Sequence, residues 1–211
     1  LSSARTEGCK ISVRCDIIYI VKEDTGLALR DEIAAFRPYN DQEVADQQRM
    51  LSFLDHYPET LFSRDSFAHF TASAWIVNGS HTRVLMIFHN IYRSWSWTGG
   101  HATEPHDLIG LSLKKAQTET GLSSIRPAYG DIYSLEIIAT SGYYKDPSYI
   151  PSHLHLNLTY LLEADENAEI KTDERETCGA KWFDLRRAAM LSNGAWIRSI
   201  YEKLNAKLDI S

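Results

Sequence analysis

Cysteine is scarce in this chain: Cys9, Cys15 and Cys178 are the only three among 211 residues. They are too few and too irregularly spaced for a disulfide framework, so reduced thiols in a cytoplasmic protein are expected. No eighteen apolar residues follow one another, and no membrane-spanning helix is expected. Lys/Arg-rich runs are missing as well, against a net charge of −6. That balance argues against sequence-independent nucleic-acid binding and leaves a small nucleotide open as partner. The start, Leu1-Ser2-Ser3-Ala4-Arg5, has neither an initiating Met nor an apolar signal core, as expected of a trimmed or incomplete terminus. The two glycosylation sequons, at Asn78 and Asn157, are read as chance. No Ser-His-Asp or Cys-His arrangement stands in a supporting motif, and no phosphate-binding glycine loop of the Walker or dinucleotide type is present.

What is there is an ordinary globular composition, 44% hydrophobic and 24% charged, long enough for one generous domain. Residues 1–40 are expected to form an N-terminal extension packed on a domain spanning 41–211. Within the extension, Ile11 to Val21 suggests an edge strand, Asp24-Thr25-Gly26 a turn and Arg30 to Phe36 a short helix. Asp41 is expected to cap a helix running to His56, with Val44, Met50, Leu51 and Leu54 on one face, and Pro58 stops it. Strands are predicted over Ala68 to Val77 and Arg83 to His89, joined by a hairpin turn at 78–81. An aromatic segment, Tyr92 to Trp97, leads to a Gly99-Gly100 turn. A helix from Asp107 to about Thr120 then ends at Gly121. Further strands are predicted at Asp131–Thr140, His153–Glu163 and Ala180–Phe183, with 142–152 a loop. Helices at Asp184–Leu191 and Ala195–Leu208 close the chain. Strands alternating with helices after an initial hairpin predict an α/β (α+β) domain, a mixed sheet sandwiched between helices.

The stretch Trp97-Thr98-Gly99-Gly100-His101, the following helix and its end Glu119-Thr120-Gly121-Leu122 together resemble the Nudix box, G-x5-E-x7-R-E-U-x-E-E-x-G-U, with U aliphatic. Phe70 to Val77, Val84 to Phe88 and Lys181-Trp182-Phe183-Asp184-Leu185 resemble the neighbouring Nudix strands and the late helix start, so the likeness covers about residues 67–190. It implies a Nudix fold and magnesium- or manganese-dependent hydrolysis of a diphosphate linkage in a nucleoside diphosphate joined to another group. In such proteins box carboxylates on one helical face chelate the metal, which neutralises developing charge and activates water.

Here the box positions read His106, Lys114, Lys115, Thr118 and Glu119, so one carboxylate stands where the pattern has four. A lysine in place of a carboxylate about 5 Å from a divalent ion costs on the order of 10 kcal/mol at an effective dielectric near 20. Even a fifth of that lowers metal affinity more than tenfold. Lys115 and Glu119 also have the spacing of a helical ion pair. Lys114 keeps the charge of the box arginine without its forked donor geometry.

The resemblance makes Glu119 and Glu176 the catalytic carboxylates, and Glu119, Glu104 and a Gly100 carbonyl the metal-site oxygens. Asp107 is a further carboxylate near the box. Glu174 and Glu176 equally suit a solvated acidic loop, and Glu104 an exposed loop position. For substrate contacts the residues are Trp95, Trp97, His101, Lys114, His153 and His155. The two tryptophans suit either stacking on a nucleobase or core packing, and Tyr143, Tyr144 and Tyr149 could wall a pocket. His153 and His155, with Asn157 and Thr159, share one strand face, either lining a ligand cleft or solvated. A zinc site there would need a third ligand such as His101 or His106. His69 and His89 read as structural. Three functions stay open: a hydrolase with weakened catalysis, a binding module for a nucleotide or phosphate compound, and an interaction protein with a vestigial cleft. A homodimer is one open arrangement.

Overall fold

The computed structural model describes residues 28–57, 62–90, 93–103, 107–145, 147–172 and 177–209. The expected strand at 11–21 and turn at 24–26 lie outside them, as do Glu104, His106, Glu174 and Glu176.

The centre is β1 (Ala68–Val77), buried along its whole length. A strand with both faces covered needs a nearly continuous apolar run, and Phe70-Thr71-Ala72-Ser73-Ala74-Trp75-Ile76-Val77 comes close to one. Along one edge β1 pairs in parallel with β9 (His153–Glu163), from Ala68 opposite Leu154 to Val77 opposite Glu163. Its other edge is shared. The C-terminal end pairs antiparallel with β2 (Arg83–His89) and the N-terminal half with β4 (Thr98–His101). Between these two, β3 (Ser94–Ser96) folds back on β2, so the sheet divides beside β1. Strands β5 (Arg126–Pro127) and β6 (Ser134–Thr140) pair with β9, and β10 (Thr177–Asp184) with β2.

Alternation sorts side chains onto two layers. Phe70, Ala72, Ala74 and Ile76 point into one cluster with Leu156 and Leu158. There they meet α1 (residues 28–35) through Leu29 and Ile33, α2 (Asp41–His56) through Met50 and Leu54, and α3 (Leu108–Thr120) through Leu108 and Ala116. Trp75, Val77 and Leu161 point the other way, toward α4 (Leu185–Met190) and α5 (Ala195–Leu208). The mixed sheet sandwiched between helices is therefore observed.

Three local expectations are corrected. Asn40, not Asp41, caps α2, its side chain accepting from the Glu43 N–H while the Glu43 carboxylate accepts from the Tyr39 N–H. The segment read as a loop at 142–152 carries a small hairpin, β7 (Tyr143–Lys145) with β8 (Ser148–Ile150). Gly99 and Gly100 are not a turn. They lie within β4, opposite Ser73 and Ala72.

Candidate functional site

Why β4 carries two glycines follows from what lies against it. A Cβ on Gly99 would sit 2.6 Å from Ser73 Oγ and 2.8 Å from the Ala72 carbonyl oxygen. On Gly100 it would sit 2.9 Å from Lys115 Cε and 3.2 Å from Cγ. Helix α3 thus crosses β4 at close range, and the aliphatic stem of Lys115 lies on Gly100. The helix itself is well bounded. Asp107 caps its start by accepting from the Gly110 N–H, and Gly121, at φ 72°, ends it with an N–H to the Gln117 carbonyl. Left-handed backbone of this kind favours glycine.

Of the box face, Glu119 is buried and its carboxylate accepts from the Gly99 N–H at 3.4 Å, a long bond. Thr118 is exposed, and its hydroxyl donates back to the Lys114 carbonyl at 2.8 Å. Lys114 is exposed, Lys115 half-buried. A hard dication needs several oxygens. Among the described residues this face offers one carboxylate and, four residues earlier, a cation whose stem covers Gly100. On its own, that set supplies a magnesium ion with one of the oxygens it takes.

On the sheet surface opposite α3, the polar face of β9 is neither solvated nor idle. Asn157 accepts from Thr71 Oγ1 and Ser73 Oγ at 2.9 and 2.8 Å, and donates to Glu136 and Thr159 at 3.0 Å each. Glu136 in turn accepts from Thr159 at 2.8 Å and from Lys203 Nζ at 3.0 Å. Lys203 also reaches Glu43 at 3.1 Å, which Lys207 meets at 3.0 Å. Two fully buried carboxylates are thereby matched by two lysines, the condition under which buried charge is tolerated. Burial pushes the Glu43 carboxyl up, but Lys203, the Ser134 hydroxyl, the Tyr39 N–H and Lys207 together hold it below the usual range.

At the open end of this face four histidines converge: His69 on β1, His101 on β4, His153 and His155 on β9. One ring nitrogen from each lies within 4.8 Å of the other three. Sequence spacing puts His153 and His155 on one strand face and offers His101 as a third zinc ligand; the structure brings these three together and adds His69, which the sequence reads as structural. Burial first depresses the imidazoles of His101 and His155 to about 3, with Arg64 next at His101 and the neighbouring rings next at His155. The signal that could have found the group is the parallel register of β1 and β9, which sets His69 opposite His155.

The remaining predicted residues lie elsewhere. Trp95 packs edge-on against Phe183 and Trp97 against Tyr201 of α5, both half-buried beside the second core cluster. Tyr144 and Tyr149 pack on each other and stay exposed. One open cavity of about 940 Å³, lined by Phe36, Tyr39, Tyr133 and Lys207 among others, shares no residue with the α3 face or the histidines. Among the described residues no helix is long and apolar enough to cross a membrane.

No family model and no curated protein matches this chain. Solved structures similar to it include Nudix hydrolases and a dihydroneopterin triphosphate pyrophosphohydrolase. An Ap4A hydrolase from C. elegans is 15% identical with a TM-score of 0.49, covering 67% of this chain and 99% of its own. RenU, a Nudix hydrolase from M. smegmatis, is 14% identical with a TM-score of 0.49 over 69% and 89%. A NUDIX-family hydrolase from Clostridium perfringens is 21% identical with a TM-score of 0.44 over 67% and 97%.

Proposed function

We propose that this chain is a Nudix hydrolase-type protein whose cleft takes a small nucleotide or related diphosphate compound, with magnesium-dependent hydrolysis weakened. The observation that carries this reading is Lys115, seated on Gly100 where the box pattern has a metal-binding carboxylate. A positive charge beside β4 attracts diphosphate oxygens while repelling the dication that would activate them. Lys114, exposed on the same helix, adds a second charge. Glu119 is the one box carboxylate in place, and what hydrolysis persists depends on it. Glu176 and Glu104 are proposed as supporting carboxylates.

The test is thermal denaturation with ADP, with and without magnesium, alongside an assay of phosphate release. Stabilisation by ADP that is nearly independent of magnesium, with slow release lost in Glu119→Gln, is expected. No stabilisation by any nucleotide tried would contradict the reading, as would fast release that tracks magnesium.

A second reading, binding without hydrolysis, is favoured by the same lysine. It is distinguished by phosphate release that stays at background in wild type and Glu119→Gln alike.

A further inference from the structure

The four histidines form a cluster that the diphosphate chemistry does not require. Their ring centroids stand close to one another: His69 is 4.9 Å from His101 and 5.1 Å from both His153 and His155. His101 is 5.0 Å and His153 is 4.9 Å from His155. Packing alone explains such a group poorly, because imidazole nitrogens out of water need partners. His69 is 1% exposed, and neither of its ring nitrogens has a hydrogen-bond partner. Burial, the largest influence, pushes its imidazole below the usual range; the Ser66 backbone opposes this without reaching hydrogen-bond geometry.

His153 shows how the ring edges are aimed. Its Nδ1 lies 2.8 Å from the Pro151 carbonyl, which can only accept, so Nδ1 carries a proton there. Its Nε2 is thereby aimed into the cluster, 3.0 Å from His155 Nε2.

We propose that His69, His101, His153 and His155 form a transition-metal site that takes Zn²⁺ or a chemically similar divalent ion. Tetrahedral zinc with nitrogens at about 2.0–2.1 Å separates its ligands by about 3.3 Å. The His153–His155 pair already has nearly that spacing, and the 4.8 Å limit on the others is closed by ring rotation and small strand shifts. Imidazole suits zinc, cobalt, nickel and copper, whereas magnesium and calcium prefer oxygen. The site is therefore chemically distinct from Glu119 and does not depend on what the α3 face does. Arg64 and Lys145 lie near enough to act on His101, and they lower affinity for any cation. With all four positions filled by protein, the ion is structural: it clamps β1, β4 and β9 at the end where β4 leaves Gly100.

The experiment uses untagged protein stripped with a chelator and titrated with Co²⁺ at neutral pH, then with Zn²⁺. The expected result is an intense tetrahedral cobalt spectrum that saturates at one equivalent per chain and is abolished by one equivalent of zinc. Zinc should raise the melting temperature and magnesium should not. In His101→Asn/His155→Asn the spectrum should vanish while far-UV circular dichroism stays native. Absence of a saturable spectrum in wild type overturns the proposal, and so does its persistence in the folded double variant. Should that variant not fold, the wild-type stoichiometry decides alone.

Discussion

Gly100 lies beneath Lys115: a methyl group there would come 2.9 Å from Lys115 Cε, whereas one on Gly99 would meet the Ala72 carbonyl at 2.8 Å and Ser73 Oγ at 2.6 Å. The two glycines thus differ in what opposes a side chain, one facing a flexible stem and the other a paired strand.

Gly99→Ala should consequently be the costlier change. Overpacking against backbone costs about 1–3 kcal/mol, while Gly100→Ala should cost about 1 kcal/mol or less as Lys115 swings aside. Urea denaturation of the two variants measures the difference. Equal losses would mean that Lys115 is held as rigidly as the strand.

Replacing the wrong charges should restore the face. Lys115→Glu with Thr118→Glu is expected to raise magnesium affinity at least tenfold, read by calorimetric titration. No gain would locate the defect elsewhere in the cleft.

The buried ion network predicts acid sensitivity. In the unfolded chain the Glu43 carboxyl titrates near 4.5, and folding lowers that value. The folded state therefore binds the proton less readily, so this contribution is fully present above about 4.5 and lost as pH falls through the lowered value. Denaturation midpoints should be flat from neutrality to about pH 5 and fall steeply below 4.5. Glu43→Gln should lower stability at neutral pH by about 3–5 kcal/mol, because it leaves the Lys203 and Lys207 charges under-matched, and should flatten the acid limb.

Asn157 joins the sheet to that network through four hydrogen bonds. Asn157→Leu, which keeps the branching but neither polar atom, should cost about 2–4 kcal/mol by stranding the Thr71 and Ser73 hydroxyls. Chemical denaturation checks it; a loss below about 1 kcal/mol would mean the hydroxyls find other acceptors.

The regular elements were legible because burial writes itself as periodicity. β1, β2 and β9 occupy the predicted spans, and α3 and α5 differ from expectation by at most a residue. Irregular backbone was harder to read. The Gly99-Gly100 pair carries a turn's composition, yet it is glycine because Ser73 and Lys115 press on a strand. The β7–β8 hairpin hid in a segment with two prolines. Of the candidate site, the pattern of the α3 face could be read directly, since helical spacing fixes it. The meeting of His69 with His153 could not, because 84 residues separate them and only the parallel register of β1 and β9 brings them together. The same holds for Glu43 of α2 with Lys203 of α5, an ion pair between residues far apart in sequence.

The central claim is that the α3 face lacks the oxygen needed to hold a divalent ion against a diphosphate. Anomalous scattering from crystals soaked in about millimolar manganese with ADP tests it directly. The account predicts no manganese peak at Glu119 in the wild-type protein and a clear one in Lys115→Glu/Thr118→Glu. A strong wild-type peak bonded to Glu119 would contradict it.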